Sequence, residues 1–399
     1  MITLTTYQEA RDAFRRRDFR QALYDDGHRL MRDVIVNLHG DEHIARRRLE
    51  NRLFRRDTFI WYEQDRIPRI IDAVLAGPIA VGQGDLLPLA RRTMTTLSID
   101  VAGVDIPSDA GVDAREAFDR LAELMERLAR ASTVAHATGD KQQIVADGDA
   151  ALRAFGSEFF EPSLVRRTAL VESLDAGKLE EADLPRDVLT TLIRNSDRLE
   201  LDQETVLREV AYFPWVGSHS TSAQLVHAMH HIFEHLERHP ADRPALENDD
   251  TLRQRFVHES MRLHPASPVA LRTATEDTVL KSGRAIAAGE TVAIDVEAAN
   301  RDCEVFGDHA DVFDPDRTLA DGVAPWGLSF GYGTHACLGQ EIAGGIEPVD
   351  ALQHHLVGAV ALMAGAMLRA GARPDPSDPA INDANTTRKM WGRYPVVFG

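Results

Sequence analysis

The chain has 399 residues, of which 44% are hydrophobic and 27% are charged, and it contains 27 glycines and 18 prolines. This composition is ordinary for a water-soluble globular protein and excludes the collagen-like, intrinsically disordered and disulfide-scaffold classes. The 63 acidic residues outnumber the 45 basic ones and give a net charge of -18. That balance argues against a nucleic-acid-binding protein, which needs a basic surface.

Helices dominate the first 260 residues, because apolar residues recur there at three- and four-residue spacing. The predicted helices are Thr6–Arg16, Glu42–Arg56, Ala114–Ala131, Glu204–Arg238 and Asp249–Arg262. Short apolar runs at 278–281 and 291–294, separated by glycine turns, are typical of strands. A loop-rich segment, a helix after Cys337 and a strand at 395–398 are expected to complete the chain. The predicted fold class is mainly α with a small β-rich part.

The distribution of cysteines and apolar runs predicts where the protein works. Cys303 and Cys337 are too few for a disulfide framework and suit a reducing compartment. The first residues lack the pattern of a signal peptide. The longest apolar run, 356–368, has 13 residues, whereas a membrane span needs about 20. We therefore expect a cytoplasmic protein with no membrane-spanning segment, folded as a single domain over residues 1–399.

The segment Phe330-Gly-Tyr-Gly-Thr-His-Ala-Cys337-Leu-Gly339 combines a cysteine with three glycines. Glycine lets the backbone approach a ligand closely and accepts positive φ. A cysteine there, just before a predicted helix, is favoured as a thiolate and is a suitable axial ligand for haem iron. Two alternatives remain open: a dinucleotide-binding fingerprint, which normally lies early in a βαβ series, and a small buried cysteine.

Four blocks in the same order resemble the cytochromes P450. Segment 330–339 meets every specified position of the haem-binding signature Phe-x-x-Gly-x-His/Arg-x-Cys-x-Gly. Glu259-Ser-Met-Arg262 resembles the Glu-x-x-Arg motif, and Arg317 in Asp-Pro-Asp-Arg resembles the third partner of that motif. Segments 299–302 and 305–307 are typical of bacterial members. The chain is identified as a member of the cytochrome P450 superfamily, of the bacterial soluble type, with an amino-terminal part shorter than usual.

The resemblance implies haem b as the cofactor and assigns roles to individual residues. Cys337 is the expected axial ligand of the haem iron, and Phe330, Gly331 and Gly339 of the same loop are also expected to bind the haem. The expected partners of the haem propionates are His43, Arg47, Arg272 and His335. Glu259, Arg262 and Arg317 are expected to form a buried structural network behind the cysteine loop.

Helix 204–238 resembles the long helix that crosses the oxygen-binding face of the haem. Its segment Val216-Gly-Ser-His-Ser-Thr221 departs from the usual Ala-Gly-x-Asp/Glu-Thr, because His219 stands at the acid position and Ser220 at the alcohol position. Gly217, His219, Ser220 and Thr221 are therefore the predicted distal residues. A hydroxyl and an imidazole can both carry protons, although His219 pointing away from the haem is an alternative.

The leading functional prediction is a haem-thiolate monooxygenase that receives electrons from a ferredoxin or flavodoxin and its NAD(P)H reductase. An arginine cluster would steer that acidic donor; its members are Arg46, Arg47, Arg48, Arg52, Arg55 and Arg56. The substrate is expected to be a small hydrophobic molecule, possibly bound to a carrier. The residues expected to contact it are Phe213, Val216, Val269, Ala270 and Leu271.

Three alternatives remain. His219 leaves room for an enzyme of this fold that uses peroxide or catalyses a non-oxygenating haem reaction. A haem-binding protein without turnover is a second alternative. The third is a metal site formed by His227, His231 and His235, which recur every four residues on one helix.

Overall fold

The computed structural model describes residues 1–107, 113–347 and 354–399. The helices are α1 Tyr7–Arg15, α2 His28–Met31, α3 Gly40–Glu50, α4 Arg56–Trp61, α5 Ile67–Val81, α6 Leu86–Ala102, α7 Ala114–Ser132, α8 Lys141–Phe155, α9 Glu161–Asp175, α10 Val188–Ile193, α11 Ser196–Leu199, α12 Gln203–Arg238, α13 Arg243–Asn248, α14 Asp250–Leu263, α15 Val296–Ala299, α16 Cys303–Phe306, α17 Gln340–Gly344 and α18 Ala359–Arg369. The strands are β1 Ile2–Leu4, β2 Phe19–Gln21, β3 Gln83–Asp85, β4 Val269–Ala274, β5 Thr278–Val279, β6 Ala285–Ile286, β7 Thr291–Asp295, β8 Arg373–Pro374, β9 Ile381–Asn382, β10 Trp391–Arg393 and β11 Pro395–Val397.

The described chain divides into two compact units. Unit 1 comprises Met1–Ala22, Arg56–Thr93 and Ser220–Gly399, and unit 2 comprises Leu23–Arg55 and Met94–His219. Helix α12 contributes residues to both units, so Gly217 and His219 belong to unit 2 whereas Ser220 and Thr221 belong to unit 1.

A four-stranded sheet in the order β1-β7-β4-β2 organises one part of unit 1. Strand β1 runs parallel to β7, with Ile2 opposite Val292, and β4 pairs antiparallel with both β7 and β2. Helix α1 begins at the cap residue Thr6, whose hydroxyl accepts from the Glu9 amide. Apolar side chains from α1 and the sheet then share one core, which includes Leu4, Tyr7, Phe14, Phe19, Val292, Ile294, Phe306 and Leu328.

Glycines end helix α17 where two backbone segments of unit 1 meet. Ile346 and Leu356 pair in an antiparallel bridge, and a Cβ on Gly345 would lie 2.2 Å from the Leu356 carbonyl oxygen. Gly345 also has a φ of +71°, which an L side chain adopts only with strain. The Gln254 side chain donates to the Gly344 and Leu356 carbonyls, at 3.1 and 2.7 Å. The close approach therefore explains why the helix after Cys337 is only one turn long.

Helices α7 and α8 pack tightly against each other in unit 2. Asp113 and Asp140 begin them by accepting backbone hydrogen bonds in their first turns. A Cβ on Gly148 of α8 would lie 2.2 Å from the Cβ of Ala131 on α7, so only glycine permits this approach. Leu121, Leu124, Met125 and Leu128 form the buried face of α7.

The predicted helical boundaries agree closely with the structure except at one helix. Helix α3 ends at Glu50, whereas the sequence predicted a helix to Arg56. The chain turns at residues 51–54, and this turn places the Phe54 ring against Phe213, with centroids 5.9 Å apart. Tertiary packing therefore overrides the local helical pattern. Strands β1 and β2 lie in the part predicted as mainly helical, because three-residue strands carry no readable alternation.

Among the described residues, no helix combines the length and the apolar composition needed to cross a membrane.

Candidate functional site

The cysteine loop of unit 1 presents an exposed thiol on a tightly hydrogen-bonded backbone. Cys337 forms no disulfide and is exposed. Its amide donates to the Phe330 carbonyl at 2.9 Å, and the Gly331 amide donates to the Leu328 carbonyl at 2.8 Å. Gly331 has a φ of +68°, which explains the need for glycine there. Helix α17 begins three residues after Cys337, at Gln340.

One aromatic contact and two glycines fix the ends of this loop. The Phe330 ring packs edge-on against Trp326, with centroids 5.2 Å apart. A Cβ on Gly333 would lie 2.8 Å from the Phe14 carbonyl oxygen of α1. The third glycine of the motif, Gly339, has a φ of -91° and a Cβ there would be 4.0 Å from the Cys337 sulfur. Gly339 thus keeps the space beside the sulfur free of a side chain.

Glu259 of α14 joins two guanidinium groups in the interior of unit 1. Arg262 donates to both Glu259 oxygens at 2.7 Å, and Arg317 donates to Oε1 at 3.2 Å through Nε and Nη2. Arg262 also donates to the carbonyls of Asn300 and Ala310. These contacts place all three predicted network residues together and clamp the segment 300–317 onto α14.

Asn300 and Gly327 extend this network towards the cysteine loop, and the sequence analysis gave neither a role. The Asn300 amide donates to the Arg262 carbonyl at 2.9 Å, and its Oδ1 accepts from the Leu328 amide at 2.7 Å. A Cβ on Gly327 would lie 2.3 Å from that Oδ1. Asn300 lies in the block 299–302, which resembles a segment of the family, so its position in the sequence could have identified it. The contact with Gly327 is visible only in the tertiary structure.

A cavity of about 370 Å³ in unit 1 lies beside this network. Glu259, Arg317 and Trp326 are among its lining residues. None of the predicted substrate-contacting residues lines it. It therefore belongs to the structural network and not to the predicted substrate pocket.

Strand β4 holds several predicted site residues in unit 1. Arg272 is 5% exposed and donates to the neutral amide oxygen of Gln21 and to the Leu271 carbonyl. Its guanidinium lies 5.4 Å from the centre of the Phe14 ring. A guanidinium binds carboxylates through charge-assisted hydrogen bonds. The predicted substrate residues Val269, Ala270 and Leu271 precede it on the strand and are half-buried. His335 lies in the 3₁₀ turn Gly333–His335 and is half-buried.

Helix α3 of unit 2 carries His43 and Arg47 one turn apart. Burial and the neighbouring Arg47 and His39 lower the pKa of His43 to about 4. Its imidazole is therefore neutral at pH 7 and has one N–H group that can donate a hydrogen bond. Arg47 is half-buried. The structure corrects the arginine cluster: Arg46 is 2% exposed and pairs with Glu209 at 2.9 Å, so it is not a surface charge. Arg48, Arg52 and Arg55 are exposed.

The end of α12 that lies in unit 2 is packed around Gly217. A Cβ at this position would lie 2.6 Å from the Ser98 hydroxyl oxygen of α6. This contact gives Gly217 a packing role that the sequence did not reveal. Of the neighbouring predicted substrate residues, Phe213 is buried against Phe54 and Val216 is half-buried.

His219 forms hydrogen bonds through both ring nitrogens. Nδ1 lies 2.9 Å from the Trp215 carbonyl oxygen and Nε2 lies 2.9 Å from Glu126 Oε2 on α7. The sequence gave no signal for Glu126, which is 93 residues away. In unit 1, Ser220 is half-buried and Thr221 is buried. The shuttle role of His219 and the distal roles of Ser220 and Thr221 stay predictions.

The histidines after this point on α12 form an aromatic stack. His227 stacks on His264 with ring centroids 4.5 Å apart, and His231 stacks on Phe313 at 4.3 Å. Burial lowers the pKa of His227, His231 and His264 to about 3 each. Across residues 1–107, 113–347 and 354–399, no group of three or more His, Cys, Asp or Glu side chains is arranged to hold a metal ion.

The residues of unit 1 fit a haem in their ligand chemistry. A thiolate is an established axial ligand of haem iron, and Cys337 provides an exposed thiol beside the side-chain-free position of Gly339. The buried Arg272 guanidinium supplies the cation that a partly buried carboxylate needs.

Comparisons with known proteins agree with this fit. A family model described as cytochrome P450 matches residues 248–344, which include Glu259, Arg262, Arg317 and Cys337. The chain is 31% identical over 182 residues to cyclooctat-9-en-7-ol 5-monooxygenase of Streptomyces melanosporofaciens, covering 39% of this chain and 38% of that protein. It is 37% identical over 152 residues to cytochrome P450-SU2 of Streptomyces griseolus, covering 37% and 34%. The matched segments thus span little more than a third of these relatives.

Solved structures match over nearly the whole chain. The complex of P450BioI with acyl carrier protein ligated to hexadec-9Z-enoic acid gives a TM-score of 0.76 at 19% identity, covering 100% of this chain and 91% of that chain. The LnmA cytochrome P450 hydroxylase of Streptomyces atroolivaceus gives 0.71 at 22% identity, covering 99% and 90%. The overall fold is therefore that of a cytochrome P450. Residues 248–344 and the segments shared with the curated relatives are similar to cytochromes P450, which bind haem b.

Proposed function

We propose that the protein is a haem-thiolate monooxygenase that oxidises a small hydrophobic molecule. The exposed thiol of Cys337, held by the hydrogen bond between its amide and the Phe330 carbonyl, is the observation that carries this proposal. When bound, a thiolate-ligated haem supplies the activation of molecular oxygen. The protein's own contribution is to bind the haem, orient the substrate and deliver protons.

The proposed roles follow the residues already located. Cys337 binds the iron, and Arg272, His335, His43 and Arg47 bind the propionates. Val269, Ala270 and Leu271, with Phe213 and Val216, contact the substrate, and their apolar character favours a hydrophobic molecule. The hydroxyl of Ser220 holds and passes a proton at its Oγ, and Gly217 and Thr221 complete the distal segment.

Electrons would come from a ferredoxin or flavodoxin served by an NAD(P)H reductase, in the cytoplasm. The exposed Arg48, Arg52 and Arg55 support an acidic donor, because cationic side chains steer such partners at low salt. A carrier-bound substrate is a further candidate, since one structural neighbour is a complex with a ligated acyl carrier protein. Reversing Arg48 and Arg52 to glutamate is expected to slow reduction at low ionic strength, and an unchanged rate would argue against this surface.

The decisive experiment compares the two cysteines of the chain. Cys337→Ser is expected to abolish the absorbance signature of thiolate-ligated haem in the reduced, carbon-monoxide-bound protein, whereas Cys303→Ser should retain it. Wild-type protein should then oxidise a hydrophobic compound that displaces the iron-bound water, when supplied with a surrogate ferredoxin, reductase and NADPH. A thiolate signature that survives Cys337→Ser would refute the proposal.

The pairing of His219 favours a second candidate, an enzyme of the same fold that uses peroxide or catalyses a non-oxygenating haem reaction. Both ring nitrogens lie within hydrogen-bond distance of a partner, the Trp215 carbonyl and the Glu126 carboxylate. The acid position therefore holds an imidazole with its own partners instead of the usual carboxylate. His219→Asp should then lower the native activity; a gain in oxygen-dependent turnover would support the monooxygenase instead. A reduced protein that consumes no oxygen with any donor would indicate a haem carrier.

A further inference from the structure

Two glutamates lie in the interior of unit 2 where helix α3 meets the first half of α12. Glu50 is the last residue of α3, and Glu209 lies in the second turn of α12. Both are 0% exposed. A carboxylate loses most of its hydration at such a position and needs a cation or several hydrogen bonds in compensation.

One guanidinium serves both carboxyl groups. Arg46 Nη1 lies 2.9 Å from Glu209 Oε2, and the same oxygen accepts from the Ile35 amide at 2.9 Å. The distance from Arg46 Nη1 to Glu50 Oε1 is 3.9 Å, which is too long for a hydrogen bond. Within the part of the chain that the structure describes, both Glu50 oxygens and Glu209 Oε1 have no hydrogen-bond partner. Arg46 therefore hydrogen-bonds to Glu209 and forms only a longer ion pair with Glu50.

Within the described part of the chain, Arg46 and Arg47 are the cations that act on Glu50, and burial together with Glu209 outweighs them. The charged groups acting on it are Glu209, Arg46 and, more weakly, Arg47. The turn Ile35–Asn37 and helix α10, which also pack on α3, contain no ionisable side chain. Burial and the negative charge of Glu209 raise the pKa of Glu50 well above its ordinary value. Burial raises the pKa of Glu209 as well, but Arg46 and the hydrogen bond from the Ile35 amide oppose that shift, so Glu209 is the carboxyl group of the pair that keeps its charge.

We propose that Glu50 is a neutral carboxylic acid in the folded protein and that its proton holds α3 against α12. With that proton the buried group carries no net charge, because Arg46 and Glu209 neutralise each other. Without it, two carboxylates compete for one guanidinium and α3 is displaced. Since α3 also carries His43 and Arg47, the proposal makes Arg46, Glu50 and Glu209 positioning residues for the haem; this consequence alone rests on the proposed function.

The protonation state can be measured directly by infrared difference spectroscopy of the purified full-length protein at pH 7, with or without haem. Glu50→Gln should remove a carboxylic-acid carbonyl band, whereas the control Glu42→Gln, at an exposed position of the same helix, should remove an ionised carboxylate band. If Glu50→Gln also removes an ionised band, the proposal is wrong. Glu209→Gln gives a second test that keeps a carbonyl acceptor for Ile35: Arg46 then pairs with Glu50, which should ionise and lose its acid band.

A second measurement follows the coupling of this proton to folding. The folded protein binds one more proton than the unfolded chain above the ordinary glutamate value of 4.5, so stability falls as pH rises between that value and the raised one. Over the part of this range in which Glu50 stays protonated, the unfolding equilibrium constant of wild type should rise about tenfold per pH unit relative to that of Glu50→Gln. Parallel profiles for the two proteins would overturn the proposal.

Haem retention tests the positioning role. Transfer of haem to an acceptor globin should accelerate with rising pH in wild type, and Glu50→Gln should flatten that dependence. An equal pH dependence in both proteins would refute the positioning role. A wild-type protein that binds no haem would refute the proposed function while leaving the infrared and unfolding tests intact.

Discussion

Glu126 Oε2 on α7 lies 2.9 Å from Nε2 of His219 on α12. The other ring nitrogen, Nδ1, lies 2.9 Å from the Trp215 carbonyl oxygen. A carbonyl oxygen can only accept a hydrogen bond. Ser218 Oγ, 3.1 Å from Nδ1, donates its own hydrogen to the Pro214 carbonyl, so Nδ1 must carry a proton. Nε2 faces the Glu126 carboxylate, so the two side chains form an ion pair whenever the imidazole is protonated.

This pair is expected to contribute modestly to stability. Glu126 is 49% exposed, so solvent screening limits the coupling between the two charges to about 1 kcal/mol or less. A double-mutant cycle with His219→Gln and Glu126→Gln, measured by urea unfolding, gives this coupling directly. It should shrink further in 1 M salt, whose Debye length is about 3 Å. A coupling that does not respond to salt would contradict the ionic assignment.

The contact between Gly217 and Ser98 predicts a destabilising variant and its rescue. Gly217→Ala would place a methyl group 2.6 Å from the Ser98 hydroxyl oxygen and 3.5 Å from its Cβ. We expect a loss of about 1–3 kcal/mol in the free energy of unfolding, as for other overpacked sites. Ser98→Ala removes only the clashing oxygen, so the double variant should recover most of that loss. Equal stability of the single and double variants would show that another contact is responsible.

Removing the shared carboxylate of the buried network should be severe. Glu259→Gln leaves Arg262 and Arg317, with side chains 0% and 9% exposed, without their anion. Breaking a buried pair from one side costs about 3–5 kcal/mol. The matched control is Arg255→Gln on the same helix, which breaks the exposed Arg255–Asp316 pair at 3.0 Å and should cost less than about 1 kcal/mol. Comparable losses in urea unfolding would indicate that the network is not specially important.

The stacked histidines of unit 1 predict a loss of stability in acid. Burial holds the pKa of His227 at about 3, below the ordinary value of 6.5. Below pH 6.5, His227 is protonated in the unfolded chain but stays neutral in the folded protein. The free energy of unfolding therefore decreases as the pH falls to about 3.

Replacing His227 by Phe, which preserves a ring against His264, should remove this contribution. The loss of stability between pH 7 and pH 5 should be smaller than in wild type by about 2 kcal/mol. His239→Phe, at an exposed position of the chain, is the control and should leave the profile nearly unchanged. If both variants followed the wild-type profile, His227 would not be buried as a neutral ring.

Local patterns in the sequence were sufficient to predict the family resemblance, the cysteine loop and most helices. The glycine and cysteine spacing of 330–339 is contiguous in the chain, and Glu259 and Arg262 lie one helical turn apart, so their proximity follows from helix geometry. For the same reason the boundaries of α7 and α12 were predicted to within two residues.

The tertiary structure alone decided which partners those residues meet. Arg46, one of a run of arginines, is buried because it pairs with Glu209. That partner is 163 residues further along the chain. His219 gains Glu126 from another helix, and β1 pairs with a strand that begins at Thr291. Periodicity describes the faces of an element but not which distant element covers each face. The charge state of a buried group depends on that covering, because desolvation and neighbouring charges set its pKa.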